Sequence, residues 1–284
     1  MMKVLFFTKM VAAGNDFIVV DKLQQNQRRG LKDLALELCD RKSGVGADGL
    51  LVLESSKKAD VTMRIFNSDG SEAEMCGNGA RCAALYSSRF TVHGSQRKLK
   101  LATKAGIIES EVNRDNVRIK LTDPKGMKLD IPIRVNNRAI RVNFINTGVP
   151  HAVIFVEGLD KIDVAFLGRE IRYHKRFAPA GTNADFVEVQ SGNHIKVRTY
   201  ERGVEDETLA CGTGSVAAAL IVASRWSLPA PRITGQAGLV VSKIDVVTKS
   251  GEILKVYFEK ATGGFKNVWL EGRVRIVYKG AYYV

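Results

Sequence analysis

The chain carries one local pattern twice, and that duplication limits what it can fold into. Cys76 lies in Glu72-Ala-Glu-Met-Cys76-Gly77-Asn78-Gly79-Ala80, and Cys211 lies in Glu207-Thr-Leu-Ala-Cys211-Gly212-Thr213-Gly214-Ser215. In both, a glutamate precedes the cysteine by four positions and Cys-Gly-x-Gly is followed by a small residue. The two cysteines are 135 residues apart. Gly46 to Val52 begins 30 residues before the first cysteine, and Gly181 to Val187 begins 30 before the second. Gly14-Asn-Asp-Phe and Gly148-Val-Pro-His stand 134 apart. Three landmarks at nearly one offset predict two copies of a single unit, each a domain, rather than a solenoid of short repeats. A length of 284 residues accommodates two domains of ordinary size. The predicted boundaries are 1–123 and 124–271, with a final strand at about 272–284 packing back on the first domain.

Periodicity fills in the elements. Ile18 to Asp21, Leu50 to Glu54, Val61 to Phe66 and Lys98 to Thr103 read as strands, as do Ala152 to Glu157, Phe186 to Gln190, Ile195 to Tyr200 and Ile253 to Glu259. Leu31 to Asp40 and Ile162 to Glu170 read as helices. A helix-compatible stretch follows each cysteine, Ala80 to Arg89 and Ser215 to Trp226, and the intervening Gly-x-Gly supplies a tight turn. Asp123 to Arg141, punctuated by Asp-Pro, Lys-Gly and Asn-Asn, reads as the crossover between the halves.

Composition excludes several classes. Hydrophobic residues at 45% and charged residues at 26% rule out a disordered chain, and four cysteines are too few for a disulfide scaffold. The net charge of +13 raises the question of nucleic acid, but the basic residues are dispersed. The densest spots are Arg28-Arg29, Lys57-Lys58 and Arg97 to Lys104. The apolar patch Val4 to Phe7 is shorter than a signal-peptide core. The longest uncharged run, Thr208 to Ser224, has 17 residues and reads as a buried helix rather than a membrane span. The expectation is a cytoplasmic protein with reduced thiols, binding neither membrane nor nucleic acid.

A thiol at a helix N-terminus meets the positive end of the helix dipole, which lowers its pKa toward a usable thiolate. The neighbouring backbone N–H groups make an anion site suited to a carboxylate. Two such turns related by a pseudo-twofold would bring one thiol to each side of a molecule held in a cleft. That arrangement suits the inversion of a carbon: one group removes the proton from one face, and the other delivers a proton to the opposite face. One sulfur starts as thiolate and the other as thiol. The substrate class is an amino acid, its carboxylate on the helix ends, where developing charge at the α-carbon is stabilised.

Competing readings bear on the same residues. Cys39, in a Leu-rich helical stretch, and Cys82, among alanines, read as small buried hydrophobes. A metal site is not supported: there is no Cys-x-x-Cys, and His93, His151, His174 and His194 have no ligand spacing. Gly212-Thr-Gly-Ser-Val-Ala217 imitates a dinucleotide fingerprint, but Glu205-Asp-Glu207 intervenes where a strand should lead in. No acid follows between Glu207 and Asp245. From other classes, a thiol-nucleophile transferase would need only one essential cysteine, and a basic nucleic-acid-binding protein remains the outsider.

At these residues the chain resembles the diaminopimelate epimerase family, cofactor-independent enzymes of lysine synthesis. The likeness runs through Phe7-Thr-Lys-Met10, Gly14-Asn15-Asp16-Phe17, Gly46-Ala-Asp48, Asn67-Ser-Asp-Gly70 and Met75 to Cys82. It continues through Asn146-Thr-Gly, Pro150-His151, Gly181-Thr-Asn183, Tyr200-Glu-Arg-Gly203 and Ala210 to Gly214. Cys-Gly-Asn-Gly separates the chain from the related proline racemases, which typically carry His after the first Cys-Gly; another cofactor-free amino-acid racemase of the superfamily is the alternative. The resemblance implies an α/β (α+β) fold of two similar domains, each a curved mixed β-sheet wrapped around a central helix, with the active site in the cleft between them. It implies that Cys76 and Cys211 are the acid/base pair and that His151 and Glu201 modulate their protonation. It further implies that Asn15, Asn67, Gly77, Asn78, Asn183, Glu201, Arg202, Gly212 and Thr213 bind substrate, with Arg202 pairing the distal carboxylate. No cofactor or metal is implied, the partner is diaminopimelate, and a homodimer is expected. Two positions depart from the commoner pattern: Gly49 stands where many members have Gln, and Val149 where many have Asn. Restoring the commoner side chains with Gly49→Gln or Val149→Asn is expected to sharpen selectivity without creating activity.

Overall fold

The computed structural model describes residues 4–22, 30–90, 97–191, 193–226, 233–234 and 240–283. His93 and the Arg28-Arg29 pair lie outside the described residues. The chain divides into two compact units, Met1–Ile119 with Gly272–Val284, and Lys120–Glu271.

The first unit runs β1 (Val4–Ala12), β2 (Asn15–Asp21), α1 (Leu31–Cys39), β3 (Gly49–Glu54), β4 (Val61–Asn67), β5 (Glu72–Ala73), α2 (Gly77–Phe90), β6 (Lys98–Thr103), β7 (Gly106–Asn113) and β8 (Asn116–Lys120). Pairing is antiparallel for β1–β2, β3–β4, β4–β5, β6–β7 and β7–β8, and parallel for β2–β3 and β4–β6.

The second unit runs β9 (Lys125–Val135), β10 (Arg138–Asn146), β11 (Pro150–Phe155), α3 (Val164–Arg172), β12 (Asn183–Ser191), β13 (His194–Glu201), β14 (Asp206–Thr208), α4 (Gly212–Arg225), β15 (Ile233–Thr234), β16 (Val240–Val247), β17 (Ile253–Ala261) and the start of β18 (Gly264–Tyr283). Its β10–β11, β12–β13, β13–β14, β16–β17 and β17–β18 pairs are antiparallel, and β11–β12 and β13–β16 are parallel. This is the same series as in the first unit, strand for strand, so the sequence duplication is a duplication of topology. The later part of β18, Val274 to Tyr283, belongs to the first unit and pairs antiparallel with β1.

Each sheet wraps one helix. Helix α2 touches β1, β2, β3, β4, β6 and β7, and α4 touches β10, β11, β12, β13, β16 and β17. A helix enclosed on every side must be small or apolar on every side. Accordingly α4 is buried without interruption from Gly214 to Ala223, and α2 from Asn78 to Ser88. The outer face of each sheet is covered by an amphipathic helix. Leu31, Leu34, Ala35 and Leu38 of α1 pack with Leu5, Ile18, Leu50 and Val52, while Val164 and Ile171 of α3 pack with Ala152, Ala184 and Phe186. Strand alternation therefore turns Leu51 and Asp185 the other way, toward the central helices, where they lie against Gly79 and Gly214.

Two expectations need correction. Asp123 to Arg141 is not an irregular crossover: residues 125–146 form the antiparallel hairpin β9–β10. Asn136 and Asn137, with φ of 49° and 61°, make the two-residue turn that left-handed Asn residues favour. Helix α3 starts at Val164 rather than Ile162, because the Asp163 carboxylate caps it by accepting from the Phe166 N–H at 3.1 Å.

Because α4 fills the centre of its unit, truncating it should cost far more than truncating a surface residue of the same type. Leu220→Ala should lose about 2–5 kcal/mol of stability, whereas Leu209→Ala, half exposed, should stay within about 0.5 kcal/mol of the parent. Urea denaturation followed by circular dichroism checks both.

Candidate active site

In the first unit Cys76 immediately precedes α2. Its Sγ accepts the Gly79 N–H at 3.5 Å, and its carbonyl accepts the Ala80 N–H at 2.8 Å. Gly77 and Asn78 occupy the first turn, whose N–H groups have no partner within the helix. The Asn78 amide is fixed from below by Arg81, a fully buried guanidinium that donates to Asn78 Oδ1 at 2.6 Å. Asn15 joins this group: its Oδ1 faces Cys76 Sγ at 3.8 Å and Asn78 Nδ2 at 3.5 Å. Its Nδ2 donates to Asp48 at 2.7 Å. That contact fixes which end of the amide meets the sulfur, since a carboxylate can only accept.

Behind Asn15 lies an ion network. Arg41 pairs with Asp16 at 2.8 Å and with Asp48 at 2.7 Å, and buried Lys9 reaches Asp16 at 2.7 Å and the Gly46 carbonyl. Against the cost of burial, Arg41 and Lys9 hold the Asp16 carboxyl far below the usual carboxylate range. Asn67 stands apart from the cysteine. It sits at the exposed end of β4, where its amide donates to Ser71 Oγ at 2.9 Å. Gly49 lies between Phe17 and Asn67 in adjacent strands. A Cβ there would come 2.9 Å from the Phe66 carbonyl oxygen and 3.4 Å from the Phe17 ring, so a Gln at this position crowds the backbone.

In the second unit Cys211 is the N-cap of α4. Its Sγ accepts the Gly214 N–H at 3.4 Å and lies 3.4 Å from Thr213 Oγ1, while Ser215 Oγ donates to the Cys211 carbonyl at 2.9 Å. Thr147 Oγ1 donates to the Thr213 carbonyl at 3.1 Å, tying the first turn to the end of β10. Gly212 opens that turn. His151 and Asp185 are buried to 0% exposure, with Nδ1 and Oδ2 at 2.7 Å, and Thr199 Oγ1 donates to Asp185 Oδ1 at 2.8 Å. Asn183 has both ends of its amide engaged by backbone: Nδ2 donates to the Pro150 carbonyl at 3.0 Å, and Oδ1 accepts the Arg202 N–H at 2.7 Å. It thereby fixes where Arg202 leaves the strand. The Arg202 guanidinium reaches the Ala180 carbonyl at 3.2 Å and lines a cavity of about 490 Å³ together with Lys128 and Arg176.

The electrostatics of Cys211 reverse the expectation from the helix dipole. Burial pushes its thiol well above the ordinary range, and the Glu201 and Asp185 carboxylates push it further. Thr213 and the Gly214 N–H oppose this but do not win. Glu201 is itself raised by burial, with a hydrogen bond to Thr208 pulling the other way. The structural thiols behave as expected: Cys39 is buried in the core and pushed up to about 12, and Cys82 is fully buried.

The sequence reading missed Asp185, Thr199, Arg41 and Arg81. A signal for Asp185 was present, since it is the one acid in the otherwise apolar run Ala184 to Val187, and a buried charge needs partners. Arg81 gave no comparable signal among the small residues of its helix.

Comparison with known proteins bears on the same residues. A family model described as diaminopimelate epimerase matches residues 7–126 and again 143–262. The chain is 41% identical over 286 residues to the diaminopimelate epimerase of Aquifex aeolicus, covering 96% of each. It is 42% identical over 292 residues to that of Archaeoglobus fulgidus, covering 95% of this chain and 96% of the other. Among solved structures, a phenazine biosynthesis protein of the PhzF family from Bacillus anthracis superposes with a TM-score of 0.75 at 18% identity, covering 100% of both chains. A hydroxyproline epimerase from Agrobacterium vitis gives a TM-score of 0.68 at 15% identity, covering 99% of this chain and 93% of the other. These two carry the fold alone.

The thiol chemistry has a pH signature. In a Cys76→Ala background, alkylation of Cys211 by iodoacetamide should be slow at neutral pH and still rising above about pH 9, near the ordinary thiol pKa. A rate that levels off below about pH 8 contradicts the burial argument. The sign for stability follows: a pKa raised on folding favours the folded state below the unfolded value, and that contribution is lost as pH rises through the folded one. Wild-type protein should therefore lose stability on the alkaline side.

Proposed function

The chain belongs to the diaminopimelate epimerase family, and we propose that Cys76 and Cys211 are the two acid/base groups of its reaction. It is an isomerase that interconverts LL-2,6-diaminopimelate and meso-diaminopimelate in lysine biosynthesis, by two-base proton transfer without pyridoxal phosphate. The observation that carries the assignment is the matched placement of both sulfurs. Each caps a central helix, each accepts the N–H three residues on, and each is followed by first-turn N–H groups left open for an anion.

In one direction the Cys76 thiolate takes the α-proton, and the Cys211 thiol gives its proton to the opposite face. The carbon keeps its bonds with inverted configuration, Cys76 ends as thiol and Cys211 as thiolate, and the reverse reaction exchanges the roles. Raised by burial and by two carboxylates, Cys211 fits the resting acid. The helix ends, through Gly77, Asn78, Gly212 and Thr213, hold the α-carboxylate and stabilise charge as the carbon loses its proton. Asn15 orients substrate beside Cys76, and Asn67 adds a polar group at the rim. Glu201 and His151 tune the second half-site. Arg202, its backbone fixed by Asn183, pairs the distal carboxylate.

We also propose a cytoplasmic homodimer. Val4 and Phe6 on β1 and Tyr283 on β18 expose apolar side chains where the ends of these two strands pair. Light scattering at twice the chain mass would support this, and a monomer would contradict it.

Cys76→Ala and Cys211→Ala should each abolish epimerisation, since one thiol cannot serve both faces, while Cys82→Ala should keep most activity. Incubation with LL-diaminopimelate in deuterium oxide, with chiral analysis, reads inversion and exchange together. Near-parental inversion in either of the first two variants would rule out the two-base assignment. Arg202→Ala should lose on the order of 30- to 1000-fold in kcat/KM for diaminopimelate. It should lose much less for an amino acid without the distal group. Equal losses on both would assign Arg202 to the fold.

A further inference from the structure

The mechanism leaves the buried charge of Asp185 unexplained. Asp185 is fully buried on the inner face of β12, opposite Thr199 of β13 in the ladder. A carboxylate has no hydrogen to give, so both of its neighbours must donate. Thr199 Oγ1 does so at 2.8 Å, and the His151 ring nitrogen Nδ1, at 2.7 Å, must carry its proton toward Oδ2. The other ring nitrogen, Nε2, is a buried atom with no hydrogen-bond partner among the described residues.

The same carboxylate lies against the first turn of α4. A Cβ on Gly214 would overlap Asp185 Oδ1 and come 3.0 Å from Thr199 Oγ1, and the Gly214 N–H is the group that caps the Cys211 sulfur. A negative charge at a helix N-terminus is favourable, which is how a buried Asp185 is tolerated here. The carboxylate charge thus stands beside the helix end, while the Cys211 sulfur accepts the Gly214 N–H.

We propose that Asp185 is a positioning residue of the epimerase reaction. It fixes His151 as the Nδ1–H tautomer and places a negative charge beside the first turn of α4, which disfavours a thiolate at Cys211. Ile145 pairs with His151 from β10 and Asn183 from β12, the Asp185 carboxylate meets its ring from β12, and Glu201 of β13 acts on it electrostatically. Asp185 and Glu201 are in turn the carboxylates that act on Cys211.

The proposal rests on the epimerase reading for its consequences but is tested first without activity. Nitrogen-15 NMR of histidine-labelled protein, with His151 assigned from its loss in His151→Gln, should show a protonated Nδ1 and an unprotonated Nε2. A wild-type ring protonated at Nε2 overturns the proposal with no further variant. Asp185→Asn keeps the shape but can accept at only one atom. With that atom held by Thr199, the amide N–H₂ faces the ring and should invert the tautomer. In that variant kcat should fall on the order of 10²- to 10⁴-fold with KM changed less than about threefold. In a Cys76→Ser background, Asp185→Asn should raise the Cys211 thiolate absorbance at 240 nm by tenfold or more at a given pH. An Asp185→Asn protein that loses activity with tautomer and thiol titration unchanged assigns Asp185 to the fold and overturns the proposal. Wild-type protein that fails to epimerise would sink the functional reading while leaving the tautomer measurement to judge this one.

Discussion

Everything at the two half-sites depends on a sulfur standing where a helix cap normally stands. Each central helix is enclosed by its own sheet, so its N-terminal N–H groups open at the one end where polar atoms gather. Ser, Thr, Asp or Asn would cap such an end better, because sulfur is a weak acceptor. Stability therefore gives no reason for cysteine there, and its acid/base chemistry does. The glycines follow from the same packing. At Gly79 a Cβ would come 3.1 Å from Leu51 Cδ2, and at Gly214 it would overlap Asp185, so each first turn lies close enough to its strand to exclude a side chain.

The two units share a frame and differ in what they place on its inner face. Leu51 pairs with Ile65 in the first unit, and at the same register Asp185 pairs with Thr199 in the second. Phe17 precedes the parallel crossing in one, and His151 in the other. One cysteine therefore has an apolar strand behind it and an asparagine amide beside it, while the other has a buried acid and a histidine. Two-base inversion needs one sulfur protonated and the other not. An unaltered duplication would give both the same environment, and the divergence at these inner positions breaks that equality through desolvation and like charge.

Much of the frame was legible in the sequence because it depends on local periodicity. The strands Lys98–Thr103 and Gly49–Glu54 and both helices after the cysteines lie where apolar alternation and small-residue runs put them. The hairpin at 125–146 was not legible, because Asn136-Asn137 reads equally as linker punctuation or as a tight turn. Only the pairing of β9 with β10 distinguishes the two. Among site residues, Cys76 and Cys211 stood out by repetition. Asn183 was read as a ligand for substrate; that its amide also joins two backbone groups is set by residues 33 and 19 positions away in the chain.

By itself, the sequence determined that there are two units, where their cysteines sit on the helices, and which chemistry two such thiols can share, since each follows from spacing and side-chain type. Only the tertiary structure decided how those thiols are poised. The dipole argument, made from one helix alone, lowers the pKa of Cys211; the folded chain raises it, because burial removes water and brings Asp185 and Glu201, 26 and 10 residues distant in sequence, against the same sulfur. Electrostatic balance at a buried atom is a sum over everything packed around it, and a linear sequence does not record which residues those are.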